Sequence, residues 1–212
     1  MPQWSIVVPA KRLAVAKTRL RPLTATLGSA RHDELVLALL ADTVAAAIAC
    51  PAVDVVLVVT DDPAATDVVR GLGARTVPDE PGSGLNPALE HGARSAPGPA
   101  VAALSSDLPA LRPAELAAAL RAAEVMAPRC FVPDAHGTGT TLLTADGAEL
   151  APRFGTGSAD AHRAGGAVAL SGPWPGLVRD VDTDEDLRAA LGLGAGRRTT
   201  ELIERLGLTG LP

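Results

Sequence analysis

The pattern of apolar and polar positions divides the first 133 residues into an alternating series. Trp4–Pro9 (WSIVVP), Val53–Thr60 (VDVVLVVT), Ala74–Pro78, Ala100–Leu104 and Cys130–Pro133 are short apolar runs bounded by turn residues. Such runs read as buried strands of a largely parallel sheet. Between them, helical spacing marks His32–Ala49, Ala64–Gly71, a segment from Pro81–Asn86 (PGSGLN) to about Ser95, and Pro113–Met126. Ser29 is a candidate cap for the first helix, and Asp61 or Asp62 for the second. Pro113 suits a first helical turn. Strand and helix in alternation predict an α/β fold.

Beyond Pro133 the alternation becomes irregular. Asp134–Leu143 (DAHGTGTTLL) reads as a glycine–threonine loop running into a strand, and Phe154–Ser158 (FGTGS) as a second glycine loop. A short helix is expected from Ala159, with Ser158 as its N-cap and exposed amides able to meet an anion. Gly176–Val178 is expected as an edge strand. Thr183 and Asp186 fit a capping box for a helix through Leu191, and Thr199–Leu206 reads as a last short helix. With no internal repeat and no low-complexity linker, residues 1–212 are expected to form one domain.

Composition narrows the function. Of 212 residues, 47% are hydrophobic but only 2% aromatic, so Ala, Val and Leu must fill the core. The net charge of −5 argues against nonspecific nucleic-acid binding. No apolar run reaches membrane-spanning length and Met1–Trp4 opens no signal peptide, so a cytoplasmic protein without a membrane partner is expected. Cys50 and Cys130 read as buried thiols, and the four histidines are too scattered to suggest zinc.

Three stretches carry candidate chemistry. Val101–Pro109 (VAALSSDLP) ends an apolar run in Asp107, at the strand end where open α/β sheets bind ligands. Asp107 is placed there either to hold a divalent cation or to cap the turn before Pro109. In Asp180-Val-Asp-Thr-Asp-Glu-Asp, Asp180 and Asp182 point to one side of an extended chain, with nothing local requiring them. The third stretch, AKRLAVAKTRLRPL after the first strand, is basic, with Lys11, Arg12, Lys17, Arg19 and Arg21. Of the 19 basic side chains only Lys11 and Lys17 are lysine, and both fall in this loop, which is well placed to receive phosphates or else is a solvated surface. There is no glycine before Gly28, so neither a Walker loop nor a GxGxxG fingerprint is present. Each glycine loop serves equally as a hairpin or cap.

Taken in order, Pro9-Ala-Lys-Arg-Leu-Ala-Val-Ala-Lys-Thr-Arg-Leu20, Ser106-Asp107-Leu-Pro109, Gly137-Thr-Gly-Thr-Thr141, Phe154-Gly-Thr-Gly-Ser158 and Asp180-Val-Asp-Thr183 resemble the guanylyltransferases of deazaflavin coenzyme F-420 biosynthesis. The resemblance spans nearly the whole chain, and the lysine loop is its most specific part. It implies a Rossmann-like nucleotidyltransferase fold of the GT-A type, a mostly parallel mixed sheet flanked by helices, and dependence on Mg²⁺. Sugar-nucleotide and molybdopterin nucleotidyltransferases share that fold but usually carry a glycine-rich loop where this chain has PAKRLAVAKTRL.

The implied reaction joins GMP from GTP to phosphoenolpyruvate or 2-phospho-L-lactate and releases pyrophosphate. Asp107, Asp180 and Asp182 would ligate Mg²⁺. Lys11 and Lys17 would neutralise the triphosphate and the departing pyrophosphate. Thr140 or its neighbour Thr141, with Gly155 and Ser158, would contact the acceptor. Asn86 and the Gly82–Leu85 turn are candidates for reading guanine. Phosphoenolpyruvate is the expected acceptor, because the excess of Arg over Lys with abundant Ala, Gly and Pro suggests a GC-rich actinobacterial genome, whose family members resemble the phosphoenolpyruvate-using type. The alternatives are a nucleotidyltransferase for another acceptor, molybdopterin or a sugar phosphate, and a nucleotide-binding regulator without turnover.

Overall fold

The computed structural model describes residues 3–10, 29–80, 82 and 84–208. The basic loop with Lys11 and Lys17 lies outside them. Strands β1 (Trp4–Pro9), β2 (Val53–Val59), β3 (Arg75–Val77), β4 (Ala100–Leu104), β5 (Arg129–Pro133), β6 (Thr140–Asp146) and β7 (Val168–Ala169) form one sheet in the order β3-β2-β1-β4-β6-β5-β7. Strands β1 to β4 pair in parallel, whereas β6 runs antiparallel to both β4 and β5. This is the expected mostly parallel mixed sheet.

Helices cover both faces of the sheet. They are α1 (Ser29–Ile48), α2 (Pro63–Leu72), α3 (Leu85–Arg94), α4 (Pro113–Met126), α5 (Ser158–Ala164), α6 (Pro175–Val178), α7 (Asp184–Gly192) and α8 (Arg197–Arg205). Alternate strand residues point to opposite faces. Ile6, Val8, Val58, Ala102 and Leu104 therefore pack against Val44, Val69 and Leu120 of α1, α2 and α4. Val7, Val59 and Ala103 meet Leu89 of α3 on the other face. A Cβ on Gly92 would lie 2.5 Å from Val7 Cγ1, so α3 sits almost directly on β1. A third cluster joins α1 to α7 and α8 through Leu35, Leu39, Val181, Leu187 and Leu202.

Cys50 and Cys130 are free and buried, and burial pushes both thiols up. Among the described residues no helix is long and apolar enough to cross a membrane.

Three expectations change. The first helix already includes Ser29, three residues before its expected start, so Ser29 is not the residue preceding it. Gly176–Val178 is not an edge strand but most of the one-turn helix α6. Pro175 sits at its first position with φ pre-set for a helix, and the Trp174 carbonyl accepts from the Leu177 and Val178 N–H groups at 3.0 and 3.2 Å. Ser158 is the first residue of α5 rather than its cap. Gly157 occupies the cap position with φ 71°, a left-handed conformation that glycine adopts without steric cost.

Candidate active site

Chain crossings at the carboxyl end of β4 assemble an acidic corner. After Leu104 the chain turns and brings Asp107 out of the sheet, 6% exposed. The turn is fixed from three sides. The Val181 N–H donates to the Asp107 carbonyl at 3.1 Å, and the Gly196 N–H to the Pro109 carbonyl at 2.7 Å. The Leu108 N–H donates to Thr43 Oγ1 at 2.8 Å, while the Thr43 hydroxyl donates to the Leu39 carbonyl at 2.8 Å.

Val181 is wholly buried between α1 and α7, so its neighbours Asp180 and Asp182 are turned the other way, beside Asp107. One carboxylate oxygen from each of Asp107, Asp180 and Asp182 lies within 4.8 Å of the others. Three like charges so close repel one another, and hard oxygen donors are what a divalent cation such as Mg²⁺ takes. The donor set fits that ion. The expected pairing of Asp180 and Asp182 on one side is found.

The same segment is anchored by Asp186. Its Oδ2 accepts from the Thr183 hydroxyl at 2.8 Å and from the Thr183 and Asp182 N–H groups at 3.0 and 3.3 Å, completing the expected capping box. Burial opposes the charged form of Asp186, but these bonds and the nearby His136 outweigh it and hold the carboxyl below its usual range.

A second group of residues forms a cradle of loop backbone and hydroxyls. Asp134 gathers the loop before β6, accepting from the Thr138 and Gly139 N–H groups at 2.9 and 2.8 Å. The Ala159 N–H donates to the Thr138 carbonyl at 3.1 Å, joining this loop to the start of α5. Thr140 and Thr141, adjacent in a strand, face opposite ways. Thr140 faces the open space, with Oγ1 2.9 Å from His162 Nδ1. Thr141 is fully buried and its hydroxyl donates to the Val132 carbonyl at 3.5 Å. Of the two, only Thr140 borders the cavity.

At the second glycine loop, the Ser158 N–H is not one of the exposed amides expected there, since it donates to the Gly155 carbonyl at 3.1 Å. The Gly155, Thr156 and Gly157 N–H groups make no hydrogen bond to a described residue. Gly155 has φ 134°, which an L side chain rarely adopts.

The acidic corner and the cradle line one cavity of about 780 Å³. Asp107, Asp180 and Asp182 lie in its wall together with Thr140, Gly155 and Ser158, while Leu39, Leu40, Leu85 and Leu89 add apolar surface. Asn86 is not part of this lining. Its amide engages the backbone of Phe154, accepting from the N–H at 2.8 Å and donating to the carbonyl at 3.1 Å.

Sequence patterns missed Thr43, Asp134 and His162, each of which acts through partners distant in sequence or across a turn. His162 left one trace: it follows Ser158 by four residues, on the same face of a short helix.

A family model described as "Guanylyl transferase CofC like" matches residues 4–212. A protein of Geodermatophilus obscurus named phosphoenolpyruvate guanylyltransferase is 73% identical over 202 residues, covering 94% of each chain. One of Salinispora arenicola with the same name is 56% identical over 201 residues, 94% of this chain and 92% of the relative. Among solved structures, a nucleotidyl transferase from Methanothermobacter superposes with a TM-score of 0.63 at 24% identity, covering 90% of this chain and 97% of the other. A CMP:2-keto-3-deoxy-manno-octonic acid synthetase complexed with CTP gives a TM-score of 0.55 at 17% identity, over 90% and 98%. These two structural likenesses concern the fold.

Proposed function

The chain belongs to the guanylyl transferase family described as CofC like, and from that premise we propose that it transfers GMP from GTP to phosphoenolpyruvate. An oxygen of the acceptor phosphate attacks the α-phosphorus of GTP and forms the new P–O bond. The bond from the α-phosphorus to the bridging oxygen of the β-phosphate breaks, and pyrophosphate leaves with that electron pair. A phosphate monoester is already largely a dianion at neutral pH, its second pKa being about 6, so no side chain has to act as its base. The protein's contribution is positioning and charge neutralisation.

The observation that carries this reading is one cavity with three convergent carboxylates at one part of its wall and two glycine–threonine loops at another. Asp107, Asp180 and Asp182 hold Mg²⁺, which when bound supplies positive charge at the phosphate oxygens. Lys11 and Lys17 draw the triphosphate and the leaving pyrophosphate. Thr140 meets the acceptor through its hydroxyl and Gly155 through its backbone amide. Ser158, whose own N–H is taken, contributes its hydroxyl. Asn86 serves by holding Phe154, and so the glycine loop, in place. The names of the relatives favour phosphoenolpyruvate over 2-phospho-L-lactate. A single domain spanning residues 1–212 carries the whole reaction.

The test is incubation of the purified protein with GTP, Mg²⁺ and each acid in turn, following pyrophosphate and the guanosine diphospho-adduct. Release is expected with phosphoenolpyruvate and is lost when a chelator removes the metal. Preference for 2-phospho-L-lactate would change the acceptor alone. Failure of both acids would overturn the reading.

A further inference from the structure

The imidazole of His162 touches both acceptor loops at once. Its Nε2 lies 2.9 Å from the Arg153 backbone nitrogen, immediately before Phe154, and its Nδ1 lies 2.9 Å from Thr140 Oγ1. The ring is 2% exposed and lies between Phe131 and Phe154, the latter edge-on at 5.1 Å between centroids. A backbone N–H only donates, so Nε2 must accept and bears no hydrogen. A neutral imidazole has one N–H, which is then at Nδ1.

That N–H faces Thr140 Oγ1, which must accept it. No described residue takes the hydroxyl's own hydrogen, and Thr140 borders the cavity. The donor therefore has the cavity to turn to.

We propose that His162 is a positioning residue that locks Thr140 as a hydroxyl donor aimed at an anionic oxygen of the acceptor, phosphate or carboxylate. This deepens the functional reading above and rests on it. With the tautomer reversed, Thr140 would donate to the ring and offer the acceptor only lone pairs, which repel an anion. The neutral ring is consistent with its surroundings: burial first, then the guanidinium groups of Arg153 and Arg129, bring its pKa down to about 4. The same ring fixes the entry to the Gly155–Ser158 loop, so the two loops keep a common register.

The first measurement is the imidazole ¹⁵N spectrum of the wild-type protein near neutral pH. A protonated-type shift at Nδ1 and an unprotonated one at Nε2 are expected; the opposite pattern overturns the proposal whatever the protein turns over. The second uses variants. In His162→Gln the amide reaches the Nε2 position and can still accept from Arg153, but the donor to Thr140 is lost. In His162→Asn the amide lies at the Nδ1 position and can donate to Thr140. His162→Gln should raise KM for phosphoenolpyruvate about tenfold or more, the loss of one charge-assisted bond, with KM for GTP unchanged. His162→Asn should recover part of that loss. Adding His162→Gln to Thr140→Val should cost little further, because both act through one hydroxyl. Equal rises in both KM values, or full additivity in the pair, would overturn the proposal. Wild-type turnover with phosphoenolpyruvate tests the functional reading independently.

Discussion

The acidic corner and the cradle share one cavity but are built on opposite terms. At the corner, one oxygen from each of three carboxylates converges within 4.8 Å, a hard-oxygen donor set of the kind a divalent cation takes. In the cradle, Asp134, Asn86 and His162 hold the loops at Thr138, Gly139, Phe154 and Arg153 with short internal hydrogen bonds and leave the Gly155, Thr156 and Gly157 N–H groups without a described partner. In both regions the backbone is held by internal hydrogen bonds; what differs is the charge that the side chains bring together. Preorganised donors act on a ligand without the cost of ordering them at that moment.

Asp107→Asn should break the corner without disturbing the cradle. It removes a full charge from the cation site, and loss of about 4 kcal/mol of transition-state stabilisation, on the order of a thousandfold in kcat, is expected. Mg²⁺ should raise the Tm of the wild type but not of the variant. Undiminished kcat in a folded Asp107→Asn protein would remove the corner from the mechanism.

The cradle should fail instead with acid. The pKa of His162 falls from 6.5 to about 4 in the folded protein. Between those values the unfolded chain binds a proton that the folded one does not. The stability is therefore complete above about pH 6.5 and is lost as pH falls toward 4, by up to about 3 kcal/mol. Urea midpoints of wild type and His162→Asn across that range read the difference; parallel curves would detach the ring from the effect.

The smallest expected effect concerns the lysine loop. Lys17→Ala should weaken GTP use by about 2 kcal/mol, one charge-assisted phosphate contact, and more so at low salt. Arg70→Ala is the control, since Arg70 is exposed near the end of α2 and its guanidinium donates to the hydroxyl of Thr76 in β3. Equal, small changes in kcat/KM for GTP would return the loop to the solvated surface.

The fold was largely legible in advance because its signals are local. β4 and α4 have the predicted bounds, Ala100–Leu104 and Pro113–Met126, since a strand buried on both faces is a continuous apolar run and a proline marks the helix start. The Thr183–Asp186 box was equally readable, being complete within four residues. Gly176–Val178 failed because three residues carry no period, and Pro175 decided their conformation. The three aspartates were singled out separately, Asp107 at a strand end and Asp180 and Asp182 as side chains that nothing local required. What aligns them, the Val181 N–H on the Asp107 carbonyl and Thr43 under Leu108, links positions 74 and 65 residues apart and leaves no pattern. His162 stayed hidden for the same reason, its partner Thr140 being 22 residues away.

The reversed strand β6 has a consequence for how such a protein can change by descent. Parallel strands deliver their carboxyl ends to the cavity, but β6 delivers its amino end, so Thr140 is the first residue of its strand. The loop before it can be lengthened or rewritten while the pairing from Ala100 with Asp146 to Leu104 with Leu142 stays in register. On the proposed function, acceptor preference and the cation corner would be separately heritable: a lineage could trade one small phosphorylated acid for another by editing the hairpin between β5 and β6 and leave the three aspartates untouched.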